Sequence, residues 1–232
     1  RDHELEAAIV LTEGAVLDIL KGSDNRLVST FVESPLVWGI HVAAGGPVTA
    51  VTEGQRVAIS RFGSGSHLIA VVDAMMRGFD PTTMEFVVVD NIDGARMALA
   101  EGRADIFLWE RHMTQPLVDS GEFRRIGERE VPWPAFVVSA RSDFLQTDGD
   151  ALRAALDIVA TYCQRLKDGD DSVGLISDAC GIAPADAERW LAGVRWTNDG
   201  RQPTAALERI KSALISQGAI EPTASIDTLW SR

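Results

Sequence analysis

Positive charge is scarce in this sequence. Its 232 residues carry 22 Lys and Arg against 34 Asp and Glu, a formal net charge of −12. Nucleic-acid binding needs a basic face that releases counterions, and an anionic membrane surface asks for the same. The balance argues against both partners and leaves small neutral, zwitterionic or locally captured anionic ligands open. Lysine is confined to Lys21, Lys167 and Lys211. Cysteine is limited to Cys163 and Cys180, which form no CxxC pair and have no histidine at a metal-ligand spacing. Each reads as a small core residue, with a disulfide neither required nor excluded. The four histidines, His3, His41, His67 and His112, build no HExxH motif, and no GxSxG elbow occurs. Catalysis, a metal and a cofactor therefore find no motif to rest on.

No stretch reaches the roughly 18 apolar residues of a membrane helix, so direct membrane insertion is not expected. No signal peptide is visible either. The chain opens at Arg1 without a methionine and enters the apolar run Ala7-Ala8-Ile9-Val10-Leu11 almost at once. That run reads as a buried parallel strand with neighbours on both sides, and the natural start is expected upstream. The compartment is then extracytoplasmic if a signal peptide precedes Arg1, and cytoplasmic otherwise.

What is present is an ordinary globular balance, 46% hydrophobic and 24% charged, enough for one large domain or two lobes sharing a hinge. The first unit reads as a strand over 7–13, a turn at Gly14 and a helix to about Lys21. Two strand pieces follow between Leu27 and Val42, broken at Ser34-Pro35, and the small, glycine-containing stretch from Ala43 to Gly54 reads as a crossover. A second α/β set begins with the strand Arg56–Ser60 and a glycine–serine turn. Its helix, Ser66 to Arg77, puts Leu68, Val71, Val72, Met75 and Met76 on one face. A strand over Met84–Val89, a helix over Asp93–Ala100 and a strand over Ala104–Trp109 complete it, an alternation that implies parallel βαβ units. Beyond Gly121, Val131-Pro-Trp-Pro leads into a strand over Ala135–Ser139 that returns to the first sheet. The rest is mostly helical: Ala151–Leu166, Asp171–Cys180, Pro184–Ala192 and Thr204–Gln217.

One internal echo stands out. Ala7-Ala-Ile-Val-Leu-Thr-Glu13 matches Ala104-Asp-Ile-Phe-Leu-Trp-Glu110 at four of seven positions. Two buried strands can share this by chance. A duplicated lobe would instead set Glu13 and Glu110 at corresponding strand ends.

The strongest local signal is Ser60-Arg61-Phe62-Gly63-Ser64-Gly65-Ser66-His67. It leaves a strand and opens a helix, where unpaired backbone N–H groups and the helix dipole favour an anionic or electron-rich group. It lacks the Gly-Lys-Ser/Thr ending of a phosphate loop and the third glycine of a dinucleotide fingerprint. A helix start capped by Ser64 or Ser66 accounts for the same residues. Trp38, Trp109 and Trp133 lie at or near strand ends beside Glu13, Ser34, Asn91 and Glu110. Aromatic walls with a few directed polar groups suit a small-molecule cleft at the mouths of an open α/β sheet; core packing is the alternative for each tryptophan taken singly.

Leu11-Thr-Glu-Gly14, Ser34-Pro-Leu-Val-Trp-Gly39, Ile59-Ser-Arg-Phe-Gly-Ser-Gly-Ser66, Ala104-Asp-Ile-Phe-Leu-Trp-Glu110 and Pro132-Trp133 occur in order. Together they resemble the type II periplasmic binding proteins of the thiamine-precursor and aliphatic-sulfonate kind, in a subgroup found in bacteria and fungi. The resemblance implies an α/β fold of two lobes, each a mainly parallel sheet flanked by helices. Lobe 1 is expected over 1–47 and 132–232, lacking its opening βα units, and lobe 2 over 48–131. It implies a non-catalytic solute receptor that serves an ABC importer, with the permease as partner and an anionic or heteroaromatic solute as ligand. Carried over by position, lobe 1 offers Thr12, Glu13, Ser34 and Trp38. Lobe 2 offers Ser60, Arg61, Ser64, Gly65, Ser66, Asn91, Trp109 and Glu110, with Trp133 near the return crossing. Two other roles share the fold. A thiamine-pyrimidine synthase would bring a cysteine-rich iron-binding motif and an active-site lysine, neither of which stands at these positions. A transcription regulator's effector domain would have a DNA-binding helix-turn-helix upstream.

Overall fold

The structure, a computed structural model, describes residues 5–198 and 204–231. The chain divides into two compact units, Arg1–Pro35 with Pro132–Lys211 and Ile220–Arg232, and Leu36–Val131 with Ser212–Ala219.

In the first unit, β1 (Ala7–Leu11) leads through α1 (Thr12–Leu20) to β2 (Asn25–Val32). β1 and β2 do not touch. The strand β8 (Phe136–Arg141) lies between them and pairs antiparallel with both, giving the order β1-β8-β2. The βαβ step expected from sequence is present, but the returning strand fills the gap it leaves. The first sheet is therefore antiparallel in all its pairs, a correction to the mainly parallel reading. Hydrophobic periodicity reports burial, not strand direction. β1 is also an edge strand with Ile9 44% exposed, not a strand buried on both sides. It ends at Leu11, so Thr12 and Glu13 open the helix instead of closing the strand. α1 has no capping side chain; the Thr12 N–H donates to the Ala135 carbonyl on the way into β8 and so satisfies one orphan donor of the helix start.

The core of this unit contains Val16, Leu27, Val137, Val138, Ile210 and Leu229, all essentially inaccessible. Three helices close it: α5 (Ser142–Asp168), α6 (Ser172–Cys180) and α7 (Pro184–Gly193). α5 is interrupted at Asp148, just before the buried Gly149. The Lys167 ammonium caps the far end of α7 by donating to the carbonyls of Leu191, Ala192 and Val194, a cation where the helix dipole favours one. Cys163 and Cys180 are free thiols. The last helix, α8 (Thr204–Ser216), continues from this unit into the second.

The second unit holds a five-stranded sheet. Its strands are β3 (Val37–Ala43), β4 (Arg56–Ile59), β5 (Glu85–Val88), β6 (Ile106–Glu110) and β7 (Phe123–Glu130), in the order β5-β4-β6-β3-β7. β4 pairs parallel with β5 and β6, while β3 runs antiparallel to β6 and β7. Only this middle part matches the parallel expectation. β7 went unseen because its sequence, Phe-Arg-Arg-Ile-Gly-Glu-Arg-Glu, carries charge at most positions, as suits an edge strand. Since β3 belongs to this sheet, the chain changes unit at Pro35–Leu36. The expected lobes, 1–47 with 132–232 and 48–131, differ from this division for residues 36–47 and 212–219, and residues 44–54 are a loop within the second unit.

α2 (Gly65–Arg77) and α3 (Ile92–Ala100) flank this sheet, with the short α4 (Gln115–Asp119) ahead of β7. α2 buries Leu68 to Ala74 and ends on Gly78 at φ 79°, with the amides of Gly78 and Phe79 on the carbonyls of Met75 and Ala74, the Schellman closure. Met75 and Met76, expected on the buried face, are exposed: the buried stripe stops at Ala74, where the helix turns out. Asp73 on α2 is buried and bonded by Arg77 and Arg129. His41 on β3 is fully buried, its Nδ1 3.3 Å from the Phe107 carbonyl and its Nε2 2.9 Å from Thr114 Oγ1. Burial and the nearby Arg125 cation push its pKa down to about 4. Gly39 must be glycine beside it, since a Cβ there would lie 2.4 Å from His41 Cε1 and 2.9 Å from Arg125 Nε.

Candidate functional site

Parallel pairing places the C-terminal ends of β4, β5 and β6 at one edge of the second unit's sheet, and antiparallel β3 begins there, with Trp38 opposite Glu110. Ser60, Asn91, Trp109, Glu110 and Trp38 thus gather on the edge where open α/β sheets take their ligands. The loop after β4 runs directly into α2.

That loop is built by its own serines. Ser64 caps α2, its Oγ accepting the His67 N–H at 3.3 Å. Ser66 Oγ accepts the Ser60 N–H at 2.9 Å and lies 3.1 Å from Ser64 Oγ and 3.3 Å from Ser60 Oγ. Three hydroxyls therefore converge at one helix start, all buried, Ser66 to 1%. The cap uses the His67 N–H, and the first intrahelical bond joins the Leu68 N–H to the Ser64 carbonyl. The N–H groups of Gly65 and Ser66 have no intrahelical acceptor, as at any helix start. Gly63 sits at φ 77°, in the region that favours glycine. Arg61 and Phe62 are on the surface, Phe62 64% exposed.

Trp38 and Trp109 meet edge to face at 6.3 Å, and Trp109 stacks on Phe107 at 5.2 Å. Both indole N–H groups are buried and have no partner among the described residues. An indole N–H is a donor only, and a buried donor without an acceptor is costly. Glu110 accepts the Met113 N–H at 2.8 Å, and Asn91 caps α3, its side-chain Oδ1 accepting the Gly94 N–H at 3.0 Å. Asp90 beside it takes φ 64°, the one non-glycine with positive φ among the described residues. A small pocket of this unit, lined by Val51, Gln55, Val57, Ala70, Asp73 and Phe79, lies at the opposite edge, where β4 begins and α2 ends.

The remaining expected residues belong to the first unit. Glu13 is 4% exposed, and its carboxylate accepts the Trp133 indole N–H at 3.0 Å. Desolvation raises its pKa to about 6, against the pull of its own backbone N–H and of Trp133. The Thr12 hydroxyl donates to the Pro134 carbonyl at 2.6 Å, so it ties α1 to the return segment. Ser34 Oγ accepts the Arg195 N–H at 3.1 Å. Trp38, expected with these, lies in the second unit.

The expected residues thus form two groups: Thr12, Glu13, Ser34 and Trp133 in one unit, and Trp38, Ser60, Arg61, Ser64, Gly65, Ser66, Asn91, Trp109 and Glu110 in the other. The echo between Glu13 and Glu110 holds only in part, because one lies in the first turn of a helix and the other ends a strand. Sequence reasoning gave no role to His67, although it ends the serine motif, nor to Gln217 and Phe86, which meet its ring. A histidine four residues after Gly63, on the same helical turn as the cap, was the available signal. Among the described residues no group of His, Cys, Asp and Glu could hold a metal ion. No helix there is long and apolar enough to cross a membrane.

With this geometry in place, comparison with known proteins is informative. The sequence profile of the Ca3427-like PBP family matches residues 38–129. The Candida albicans CA3427 gene product, described as defining a new family with the generic periplasmic binding protein fold, superposes with a TM-score of 0.82 at 26% identity, covering 97% of this chain and 76% of that one. The alkanesulfonate-binding protein SsuA from Xanthomonas axonopodis pv. citri, bound to MOPS, gives 0.80 at 15% identity over 98% of this chain and 81% of its own. The aliphatic sulphonate binding protein SsuA from Escherichia coli gives 0.76 at 14% identity over 99% and 76%. No curated protein matches the sequence closely enough to count as a relative. The chain has the periplasmic-binding-protein fold, and the resemblance read from its motifs is to this family.

Proposed function

With that fold as the premise, we propose that the chain binds a small organic solute without reacting with it, using groups from both units, as the capture component of an ABC-type importer. The observation that carries the reading is the set of donors at the C-terminal edge of the second sheet. Three seryl hydroxyls that bond among themselves, the Gly65 and Ser66 N–H groups without an intrahelical acceptor, and two indole N–H groups without a partner among the described residues stand on one edge. Donors gathered at a helix start suit an oxyanion such as a sulfonate or carboxylate. The indole rings suit a flat or aliphatic body attached to it. The buried Glu13 in the other unit adds an acceptor for a hydroxyl, amine or ring N–H on the same solute.

Transport is supported by the likeness to sulfonate-binding proteins, one of them described as the periplasmic component of a putative sulfonate ABC transporter. Such a role places the chain outside the cytoplasm with a permease as partner. The test is calorimetry of the full chain against MOPS, a short alkanesulfonate, a pyrimidine and an amino acid. Saturable binding of the anionic compounds, unchanged on recovery, supports the proposal. Chemical conversion of any of them, or preference for the uncharged pyrimidine, overturns it.

A further inference from the structure

The serine loop carries two glycines, and a chain of that composition left to itself would sample many shapes that binding must then freeze. The structure instead grips it twice through one residue. The His67 backbone N–H donates to Ser64 Oγ, and the His67 ring nitrogen Nδ1 accepts the Gly63 N–H at 3.1 Å. The ring is itself held from three sides. Phe62 and Phe86 pack edge-on at 5.2 and 4.6 Å, and Gln217 Nε2 stands 2.7 Å from Nδ1.

Because the Gly63 amide donates to it, Nδ1 is the unprotonated nitrogen and the ring proton sits on Nε2. Gln217 then presents its NH2 group to the same lone pair, so Nδ1 is an acceptor shared by two donors, and the Gln217 Oε1 is left buried without a partner among the described residues. An orphaned buried acceptor asks for an explanation. Here it is the consequence of orienting the amide toward a ring that is committed to the loop. Burial, which lowers the pKa of His67, acts in the same direction by keeping the ring neutral.

We propose that His67 is the positioning residue of the solute loop: its Nδ1 fixes the Gly63 N–H, with Gln217 steadying the ring, so that the hydroxyls of Ser60, Ser64 and Ser66 stand ready before a solute arrives. The inference rests on the reading of this loop as the solute's contact in the second unit.

Two substitutions separate the acceptor from the ring. His67→Asn keeps an acceptor oxygen near the place of Nδ1 and loses the ring; His67→Phe keeps the ring and loses the acceptor. Two quantities are read on the full chain: solvent exchange of the Gly63 amide by NMR, and the affinity for MOPS. His67→Phe speeds exchange and weakens MOPS by about tenfold or more, while His67→Asn keeps both within about threefold. If His67→Phe protects Gly63 as well as the wild type does, or His67→Asn is as damaged as His67→Phe, the ring acts by packing and the proposal is wrong. If wild type does not bind MOPS, that counts against the solute reading alone, and Gly63 exchange still decides the role of His67.

Discussion

A carboxylate buried as deeply as Glu13 costs stability, and the cost can be read out by pH. Its pKa stands at about 6 in the folded chain against 4.5 for an unperturbed glutamate. A shift of that size corresponds to about 2 kcal/mol, at roughly 1.4 kcal/mol for each pKa unit. The folded pKa is raised, so the folded state holds the proton more tightly. The associated stability is present below pH 4.5 and is lost as pH rises through 6. Glu13→Gln cannot ionise, and its amide oxygen can still accept the Trp133 N–H. Any constant cost of fitting the amide NH2 cancels when the variant is compared with wild type at two pH values. The stability difference between variant and wild type should therefore move by about 2 kcal/mol in the variant's favour between pH 4 and pH 8. Urea unfolding at both values measures it, and the carboxyl carbon shift of Glu13 should titrate near 6. A difference that stays constant with pH would refute the desolvation argument.

Other predictions follow from the same physics. His41, with a pKa near 4 in the fold and 6.5 unfolded, contributes stability that is whole above pH 6.5 and lost as pH falls to 4; NMR should show its ring neutral at pH 5.5, and the contribution amounts to about 3 kcal/mol. Gly39→Ala drives a Cβ into His41 and Arg125 and should cost about 1–3 kcal/mol in denaturant unfolding. Trp109→Phe removes an unpartnered buried donor, so it should stabilise the free chain by about 1 kcal/mol while weakening solute binding; a change of the same sign in both would contradict the role given to that N–H. Lys167→Met strips three carbonyls at the end of α7 of their cation and should lower stability by about 1–2 kcal/mol.

Much of this architecture was legible because burial and turn chemistry are local. The Ser64 cap, the helix over Asp93–Ala100 (observed from Ile92) and the helical C-terminal region all follow from residue type and spacing. Strand direction is a long-range property, and it was missed where it mattered: nothing in Ala135–Ser139 says that it slips antiparallel between β1 and β2. β7 hid behind its charges, since an edge strand needs no apolar alternation on its open side. In the site, the serine loop announced itself through its glycines and its place after a strand. The structural use of Thr12 and Ser34 could not be foreseen, because their partners, Pro134 and Arg195, lie far away in sequence. His67 was passed over for the opposite reason: its partner Gly63 is near, but Gln217 arrives from the end of α8.

Whether one solute is held by both units is the question on which the account stands. The direct measurement is calorimetric titration of the best-bound anionic solute into wild type, Ser66→Trp and Trp133→Phe, one substitution in each unit. A solute that bridges the units loses about tenfold or more in affinity with either variant. Full affinity in Trp133→Phe beside a loss in Ser66→Trp would confine the site to the second unit, and full affinity in both would contradict the site altogether.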